Sequence, residues 1–95
     1  MVPKKQKRKI EKIPQFNSFG PEQQNSTGQI YLKLGEYEAL RLKDHRGLSQ
    51  KKAAEKMEVS QPTFHRILRA GRKKMAMALS EGKTLVIGGG DYRVG

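Results

Sequence analysis

Apolar side chains between Phe64 and Leu79 recur at intervals of three and four residues, the spacing of one face of an α-helix. The members of this stripe are Phe64, Ile67, Leu68, Gly71, Met75, Ala78 and Leu79. Ser60 precedes the stripe as a candidate N-cap, and Pro62 is tolerated in a first helical turn. A long amphipathic helix therefore constrains the fold. Gly71 either allows close packing on another helix or divides the segment into two helices.

A second, shorter helix is predicted from Gln50 to Met57, with Ser49 as its N-cap. Its buried side consists of Ala53, Ala54 and Met57. Residues 58–60 separate the two helices, and Val59 is the apolar residue that can be buried at this corner. Two helices that cross at a steep angle need a small residue at their contact, which Ala54 supplies. This spacing is typical of a helix-turn-helix.

Another helix is predicted before this pair, because the apolar residues again follow a helical period from Gly35 until Gly47, a natural stop. The segment Gln29 to Leu34 alternates between apolar and polar residues and indicates a short strand. Thr84 to Ile87 is a second β-prone run. Because a lone short strand is unstable, we expect the two to pair, within one chain or between two. The predicted fold class is mainly α: a three-helix domain containing the helix-turn-helix, with a small two-stranded β element from the N- and C-terminal flanks.

The chain divides into four predicted parts. Residues 1–13 hold six basic residues and one acidic residue without apolar periodicity, so we expect a disordered basic arm. Residues 14–28 are expected to form an irregular loop, in which Phe16 and Phe19 are candidates for docking on the core. Residues 29–90 are expected to form the helix-turn-helix domain with its flanking strands, and residues 91–95 a flexible tail.

Basic residues outnumber acidic residues by 20 to 9, which gives a formal net charge of +11 on 95 residues. Such an excess is typical of a protein that binds a polyanion. It has two centres, the N-terminal arm and the predicted helices between Ser49 and Lys83. Charge alone does not distinguish DNA from RNA or an anionic membrane. A membrane role would need bulky apolar residues on an amphipathic helix, and the arm offers only Ile10 and Ile13.

The predicted inward packing of Phe64, Ile67 and Leu68 turns a basic face of the long helix outward. In a helix-turn-helix, the outward N-terminal residues of the second helix meet base edges in the major groove of duplex DNA. Arg can form two hydrogen bonds to guanine, and Gln two to adenine. The residues predicted to read bases are therefore Gln61, His65, Arg66 and Arg69. The residues predicted to bind DNA phosphates are Ser60, Thr63, Lys51, Lys52, Arg72 and Lys73, with Lys4, Lys5 and Arg8 from the arm.

Other kinds of site are disfavoured by the sequence. The absence of cysteine excludes disulfides and thiolate metal sites, and neither His45 nor His65 has partners at metal-ligand spacing. Neither paired carboxylates nor a Ser-His-Asp grouping is visible, so no enzyme activity and no cofactor is predicted. The longest apolar run, Thr84 to Ile87, is too short for a membrane span or a secretory signal. We therefore expect a cytoplasmic, nucleoid-associated protein.

The sequence resembles a known family at motifs spread over residues 8 to 92. These motifs are Leu34-Gly-Glu-Tyr-Glu-Ala-Leu-Arg-Leu-Lys-Asp44, Gly47-Leu-Ser-Gln50, Ala53-Ala54, Val59-Ser60, Pro62-Thr63-Phe64, Arg66-Ile-Leu68, Arg72-Lys73 and Glu81-Gly-Lys-Thr-Leu85. They are similar to uncharacterised protein family 0251, or domain of unknown function 134, whose members are small predicted DNA-binding proteins of bacteria and archaea. The segment Leu34 to Leu79 is also similar to the promoter-reading region four of sigma factors. That resemblance implies a helix-turn-helix with an extra preceding helix.

Two residues depart from the family's pattern. Glu58 stands where the turn usually has Gly, so the backbone there is expected to be either less left-handed or strained. Gln61 stands where Arg is common, which removes a charge and alters the expected base preference.

The function predicted from these features is sequence-specific binding of duplex DNA by a transcription regulator. An ordinary helical hairpin with a solvated basic face could have a small contact residue, a capped turn or a cationic outer face. It would not be expected to have all three together at compatible spacing. Two alternatives stay open: an RNA-binding protein, which favours exposed aromatic side chains for stacking on bases, and an adaptor that docks on RNA polymerase. A homodimer is also expected, because the core is thin and the stripe from Met75 to Leu79 could serve as a helix interface.

Overall fold

The computed structural model describes residues 7–22 and 25–95 of the chain. Its α-helices are α1 (Leu34–Leu40), α2 (Gln50–Met57) and α3 (Gln61–Glu81). A π-helical segment, Arg41–His45, continues α1, and the chain then turns at Gly47, whose φ is 72°. The strands are β1 (Arg8–Ile10), β2 (Ser18–Phe19), β3 (Gln29–Leu32), β4 (Thr84–Ile87) and β5 (Tyr92–Val94).

The two predicted N-caps begin their helices as expected. The Ser49 hydroxyl accepts a hydrogen bond from the Lys52 N–H (3.1 Å), and the Ser60 hydroxyl accepts one from the Thr63 N–H (3.2 Å). Each bond satisfies one of the N–H groups that a first helical turn leaves without a partner. Pro62 lies in the first turn of α3, where its missing N–H removes no helical hydrogen bond.

The main core lies between α1, the π-helical segment, α2 and α3. Its buried members are Ala39, Leu42, Ala53, Ala54, Met57, Phe64, Ile67 and Leu68. Phe64 of α3 is fully buried, and Ala54 of α2 is 1% exposed. Val59 packs against the edge of this cluster from the turn between the two helices. The prediction that Ala54 and Phe64 share one core is confirmed, and Val59 is partly buried against it.

α3 runs without interruption, so Gly71 does not divide it. Gly71 is buried against α1: a Cβ placed there would lie 3.2 Å from Leu40 Cδ1 and 3.3 Å from the Glu36 carbonyl oxygen. Of the two roles considered for this glycine, close helix packing is the correct one. The apolar stripe of α3 is covered only in part, because Met75 is 37% exposed and Leu79 is 82% exposed.

A three-stranded sheet with the order β2–β4–β3 packs on the C-terminal half of α3. β3 and β4 pair in parallel, with Ile30 opposite Leu85. Leu32 and Leu85 pack with Ala78 of α3 in a second, smaller core. The predicted pairing of these two strands is confirmed within one chain, although β3 ends at Leu32 and Leu34 already belongs to α1.

The segment 14–28 is not irregular throughout, because β2 pairs antiparallel with β4 over Ser18 and Phe19. The reason is that β4 has an edge not used by β3, and the pairing satisfies its backbone hydrogen-bonding groups. The expected docking of the two Phe side chains on the core is wrong. Phe16 is 69% exposed and Phe19 is 54% exposed.

The expectation of a disordered arm is wrong for residues 8–10, and that of a flexible tail is wrong for residues 92–94. β1 and β5 pair in parallel, with Arg8 opposite Tyr92, and form a two-stranded ribbon. Ile10 is fully buried. Full burial of an Ile side chain contributes about 1.5–3 kcal/mol, which holds this charged segment against the helices.

With five strands in two sheets beside its three α-helices, the described part of the chain is a small mixed α/β domain in which helical residues outnumber strand residues. The additional strands β1, β2 and β5 are two or three residues long. Segments this short show no detectable alternation of apolar and polar residues, so their pairing is decided by tertiary contacts. Within residues 7–22 and 25–95, no helix is long and apolar enough to cross a membrane.

Candidate nucleic-acid interface

The turn between α2 and α3 is built around Glu58, whose backbone is left-handed (φ 56°, ψ 45°). A residue with a side chain is disfavoured there, so of the two expectations for this corner the strained one is correct. The Glu58 carboxylate pairs with Arg93 of β5 (2.5 Å) and with Lys9 of β1 (3.5 Å). The hydrogen bond from Arg93 holds the pKa of Glu58 below its ordinary value. These contacts fasten the β1–β5 ribbon to the turn.

Opposite its buried side, α3 presents a continuous exposed face. Each residue of an α-helix is rotated by about 100° from the previous one, and Phe64, Ile67 and Gly71 mark the buried side. The residues predicted to read bases are all exposed on the other side: Gln61, His65, Arg66 and Arg69. From residue 61 to residue 80 the helix contains no acidic residue. This face therefore offers hydrogen-bonding groups in a positively charged setting.

A short chain of hydrogen bonds runs along the first turns of α3. Ser60 Oγ lies 3.0 Å from Thr63 Oγ1, and the Arg66 guanidinium donates to Thr63 Oγ1 (3.2 Å). Three predicted DNA-contacting residues are thus brought together. Ser60 and Thr63 are also engaged in capping the helix, and Arg66 is held close to its surface.

The lysines predicted on α2 and α3 to bind phosphates, Lys51, Lys52 and Lys73, are all exposed. The Gln50 side-chain amide donates to the Gln61 carbonyl oxygen (3.5 Å), so the first turn of α2 lies beside the first turn of α3. Lys51 and Lys52 follow Gln50 in this first turn of α2.

Arg72, also predicted to bind phosphate, is engaged within the protein. Its guanidinium donates two hydrogen bonds to the Asp44 carboxylate, at 3.0 and 2.6 Å, and these lower the pKa of Asp44. The pair neutralises much of the charge that Arg72 would bring to DNA. Sequence reasoning missed this contact because the two residues are 28 positions apart. Lys4 and Lys5, predicted from the arm, lie outside the described residues.

Two buried carboxylates anchor α1 to its surroundings. Glu38, 1% exposed, accepts hydrogen bonds from the Arg41 guanidinium (2.6 and 3.0 Å) and from the Glu11 N–H (3.0 Å). The hydrogen bond to Glu38 raises the pKa of Arg41. Glu36 accepts one from Lys74 Nζ of α3 (2.7 Å). Both carboxylates are satisfied within the protein, as buried charges must be.

A groove of about 220 Å³ lies beside Arg66, between α3, the start of α1 and the β1–β5 ribbon. Its charged lining consists of the cationic residues Arg8, Lys33 and Arg66 and the acidic residues Glu36 and Asp91. Sequence reasoning did not single out Lys33, because one lysine between a strand and a helix has no motif. It placed Arg8 in a disordered arm, where no groove could form.

Metal-binding side chains are not clustered in the described residues. In the described ranges, 7–22 and 25–95, no group of three His, Asp or Glu side chains is placed to hold a metal ion. His45 and His65 are both exposed, the first in the π-helical segment and the second on the exposed face of α3.

Comparison with known proteins identifies the family. The family described as "Protein of unknown function DUF134" matches residues 1–95. The chain belongs to this family. The resemblance to DUF134 noted in the sequence is thus confirmed, and no solved structure matches the chain.

Relatives of this DUF134 chain carry the name UPF0251 protein. The one from Methanothermobacter thermautotrophicus is 46% identical over 85 residues, covering 90% of this chain and 45% of the relative. The one from Caldicellulosiruptor bescii is 48% identical over 88 residues, covering 93% and 62%. The one from Halothermothrix orenii is 46% identical over 89 residues, covering 92% and 66%. The chain thus spans about half to two thirds of the length of these relatives.

Proposed function

We propose that this protein binds duplex DNA in a sequence-specific manner and regulates transcription, with α2 and α3 acting as a helix-turn-helix. The observation that carries the proposal is the exposed face of α3 with Gln61, His65, Arg66 and Arg69. Burial of Phe64 fixes the rotation of α3, so this face is presented rigidly. An α-helix with its side chains is about 10–12 Å across, which suits the major groove of B-DNA, about 12 Å wide.

The proposed readout uses the hydrogen-bonding character of each side chain. Arg66 and Arg69 donate to O6 and N7 of guanine, and Gln61 both donates and accepts at adenine. The exposed lysines Lys51, Lys52 and Lys73 bind phosphates, which adds affinity for every sequence equally. Regulation then follows from occupancy of the selected sites.

A second candidate function is binding of single-stranded RNA, and one observation favours it. Phe16, Phe19 and Tyr31 are 69%, 54% and 62% exposed, and exposed aromatic rings can stack on unpaired bases. Phe16 lies before β2, Phe19 in β2 and Tyr31 in β3. The sheet formed by these strands packs on the C-terminal half of α3, near Ala78. Competition between duplex DNA and single-stranded RNA at matched salt distinguishes the two functions.

The test of the proposed function begins with selection of bound sequences from random duplex DNA. On the selected duplex, we expect log K against log salt to have a slope of about −4 to −5, which corresponds to about five neutralised phosphates. Arg66→Ala should weaken binding to this duplex by about 1–3 kcal/mol and relax the choice of one or two base pairs. Lys73→Ala should weaken selected and random DNA alike, because phosphates are the same in both.

The decisive quantity is the ratio of specific to non-specific affinity in each variant. If Arg66→Ala and Lys73→Ala change this ratio equally, α3 does not read bases. Phe64→Ala serves as the control for folding, since loss of a buried Phe costs about 3–5 kcal/mol of stability. Failure to enrich any sequence, with a flat salt response, would contradict the proposal as a whole.

A further inference from the structure

The exposed face of α3 has two flanks that differ in what lies beside them. On one flank, the hydrogen bond between Gln50 and the Gln61 carbonyl brings the first turn of α2 alongside, with Lys51 and Lys52. Arg66 and Ala70 lie about 140–180° further around the helix than Gln61, at about 100° per residue. Both line the groove on the other flank.

On that second flank, the β1–β5 ribbon and the segment before α1 contribute Arg8 and Lys33 next to Arg66. Glu36 and Asp91 also line the groove, but the Glu36 carboxylate is already paired with Lys74 (2.7 Å). Three cationic side chains therefore border an open groove immediately beside the proposed base-reading face.

Packing holds the aliphatic stems of the Arg8 and Lys33 side chains. The Arg8 stem lies over Gly35, where an added Cβ would be 3.6–3.8 Å from its side-chain carbons. The Lys33 stem lies over Gly90, where an added Cβ would be 3.2–3.4 Å away. Burial of Ile10 fixes the strand that carries Arg8. The two charges are thus positioned by folded elements, not by a mobile arm.

We infer that Arg8 and Lys33 form a second phosphate-binding site, on the side of α3 opposite Lys51 and Lys52. The inference rests on the proposed function. A helix about 10–12 Å across fills a groove about 12 Å wide, so its two flanks face the two sugar–phosphate backbones that border the groove. Lys51 and Lys52 then bind one backbone, and Arg8 and Lys33 bind the other. Both contacts are independent of base sequence.

The test is ethylation interference on the selected duplex, which reports the phosphates whose modification blocks binding. Two double variants are compared with the parent protein, Arg8→Gln with Lys33→Gln, and Lys51→Gln with Lys52→Gln. Glutamine keeps part of the stem that packs on Gly35 and Gly90 while removing the charge. Lys83→Gln is the matched control, because Lys83 lies at the opposite end of α3 and pairs with Glu81 (3.4 Å).

We expect the Arg8/Lys33 variant to lose interference at phosphates of one strand, and the Lys51/Lys52 variant at phosphates of the other strand. Each double variant should make the salt slope shallower by about 2, at about 0.9 per phosphate, whereas Lys83→Gln should leave it unchanged. Circular dichroism of each variant confirms that it is folded. A folded Arg8/Lys33 variant with the parent's interference pattern and slope would overturn the inference but leave the proposed function intact. Failure of the parent protein to bind any duplex would refute the proposed function itself.

Discussion

Gly71 sets the distance between α1 and α3, because a side-chain carbon at this position would lie 3.2 Å from Leu40 Cδ1 and 3.3 Å from the Glu36 backbone oxygen. Replacement of Gly by Ala inside a helix gains about 1 kcal/mol of propensity, whereas overpacking costs about 1–3 kcal/mol. A backbone oxygen cannot rotate away as a flexible side chain can. We therefore expect Gly71→Ala to lower the free energy of unfolding by about 1 kcal/mol.

Ala76→Gly is the matched control for this prediction, because Ala76 is exposed on the same helix. It should cost about 1 kcal/mol through propensity alone, without any change in packing. Urea unfolding of both variants then separates packing from propensity. If Gly71→Ala were more stable than the parent protein, α1 would be free to move away from α3, contrary to the tight contact between these two helices.

Glu58 combines a left-handed backbone with a carboxylate shared by Arg93 and Lys9. Glu58→Gln keeps the shape of the side chain and removes the charge. We expect it to lower the thermal midpoint in low salt, and to do so much less in 1 M salt, where the Debye length is about 3 Å. A difference in midpoint that salt does not change would show that the ion pairs do not stabilise the turn.

The same variant has a predicted pH dependence. The pKa of Glu58 is lowered in the folded protein by Arg93, so its stabilisation is present above its ordinary value of 4.5. It is lost as the pH falls below 4.5 and the folded carboxylate takes up a proton. Thermal midpoints of the parent and Glu58→Gln should therefore converge in acid.

Among the elements, length and local pattern separate those that could be predicted from those that could not. The capping residues Ser49 and Ser60 and the apolar period mark α2 and α3. Alternation marks β3 and a β-prone run marks β4, so all four could be predicted. β1 and β5 have three residues each, and Ile10 is the one buried residue between them. Their pairing, and the groove that contains Arg8 and Lys33, arise from contacts distant in sequence. The exposed face of α3 could be predicted because helical period alone defines it.

Ile10 is the residue that makes β1 part of the fold, since it is fully buried in a segment of charged residues. We expect Ile10→Ala to lower the free energy of unfolding by about 2–4 kcal/mol through lost burial and the cavity left behind. Ile13→Ala is the matched control, because Ile13 is 55% exposed and its replacement should change stability by less than about 0.5 kcal/mol. Equal effects in urea unfolding would show that β1 is not anchored by Ile10.

The whole molecule combines a net charge of +11 with apolar side chains left open to solvent, above all Leu79 at 82% exposure and Phe16 at 69%. We propose that the open part of the α3 stripe supports a homodimer. Because like charges repel, association should strengthen with salt. Sedimentation equilibrium should show a dimer for the parent protein and less dimer for Leu79→Ser, and circular dichroism should show that the variant is folded. A parent protein that is monomeric at every concentration and salt would contradict the dimer.

The parallel pairing of Arg8 with Tyr92 has a consequence for the order in which the molecule folds. These residues are 84 positions apart, and contacts across such long loops form late because loop closure costs entropy. α1, α2 and α3 join residues much nearer in sequence, so their common core should assemble first. The β1–β5 ribbon should then pair last, after the folding transition state. Kinetic φ-values from mutation of Ile10 should therefore be near zero. Arg8 would reach its groove only after α3 is already in place.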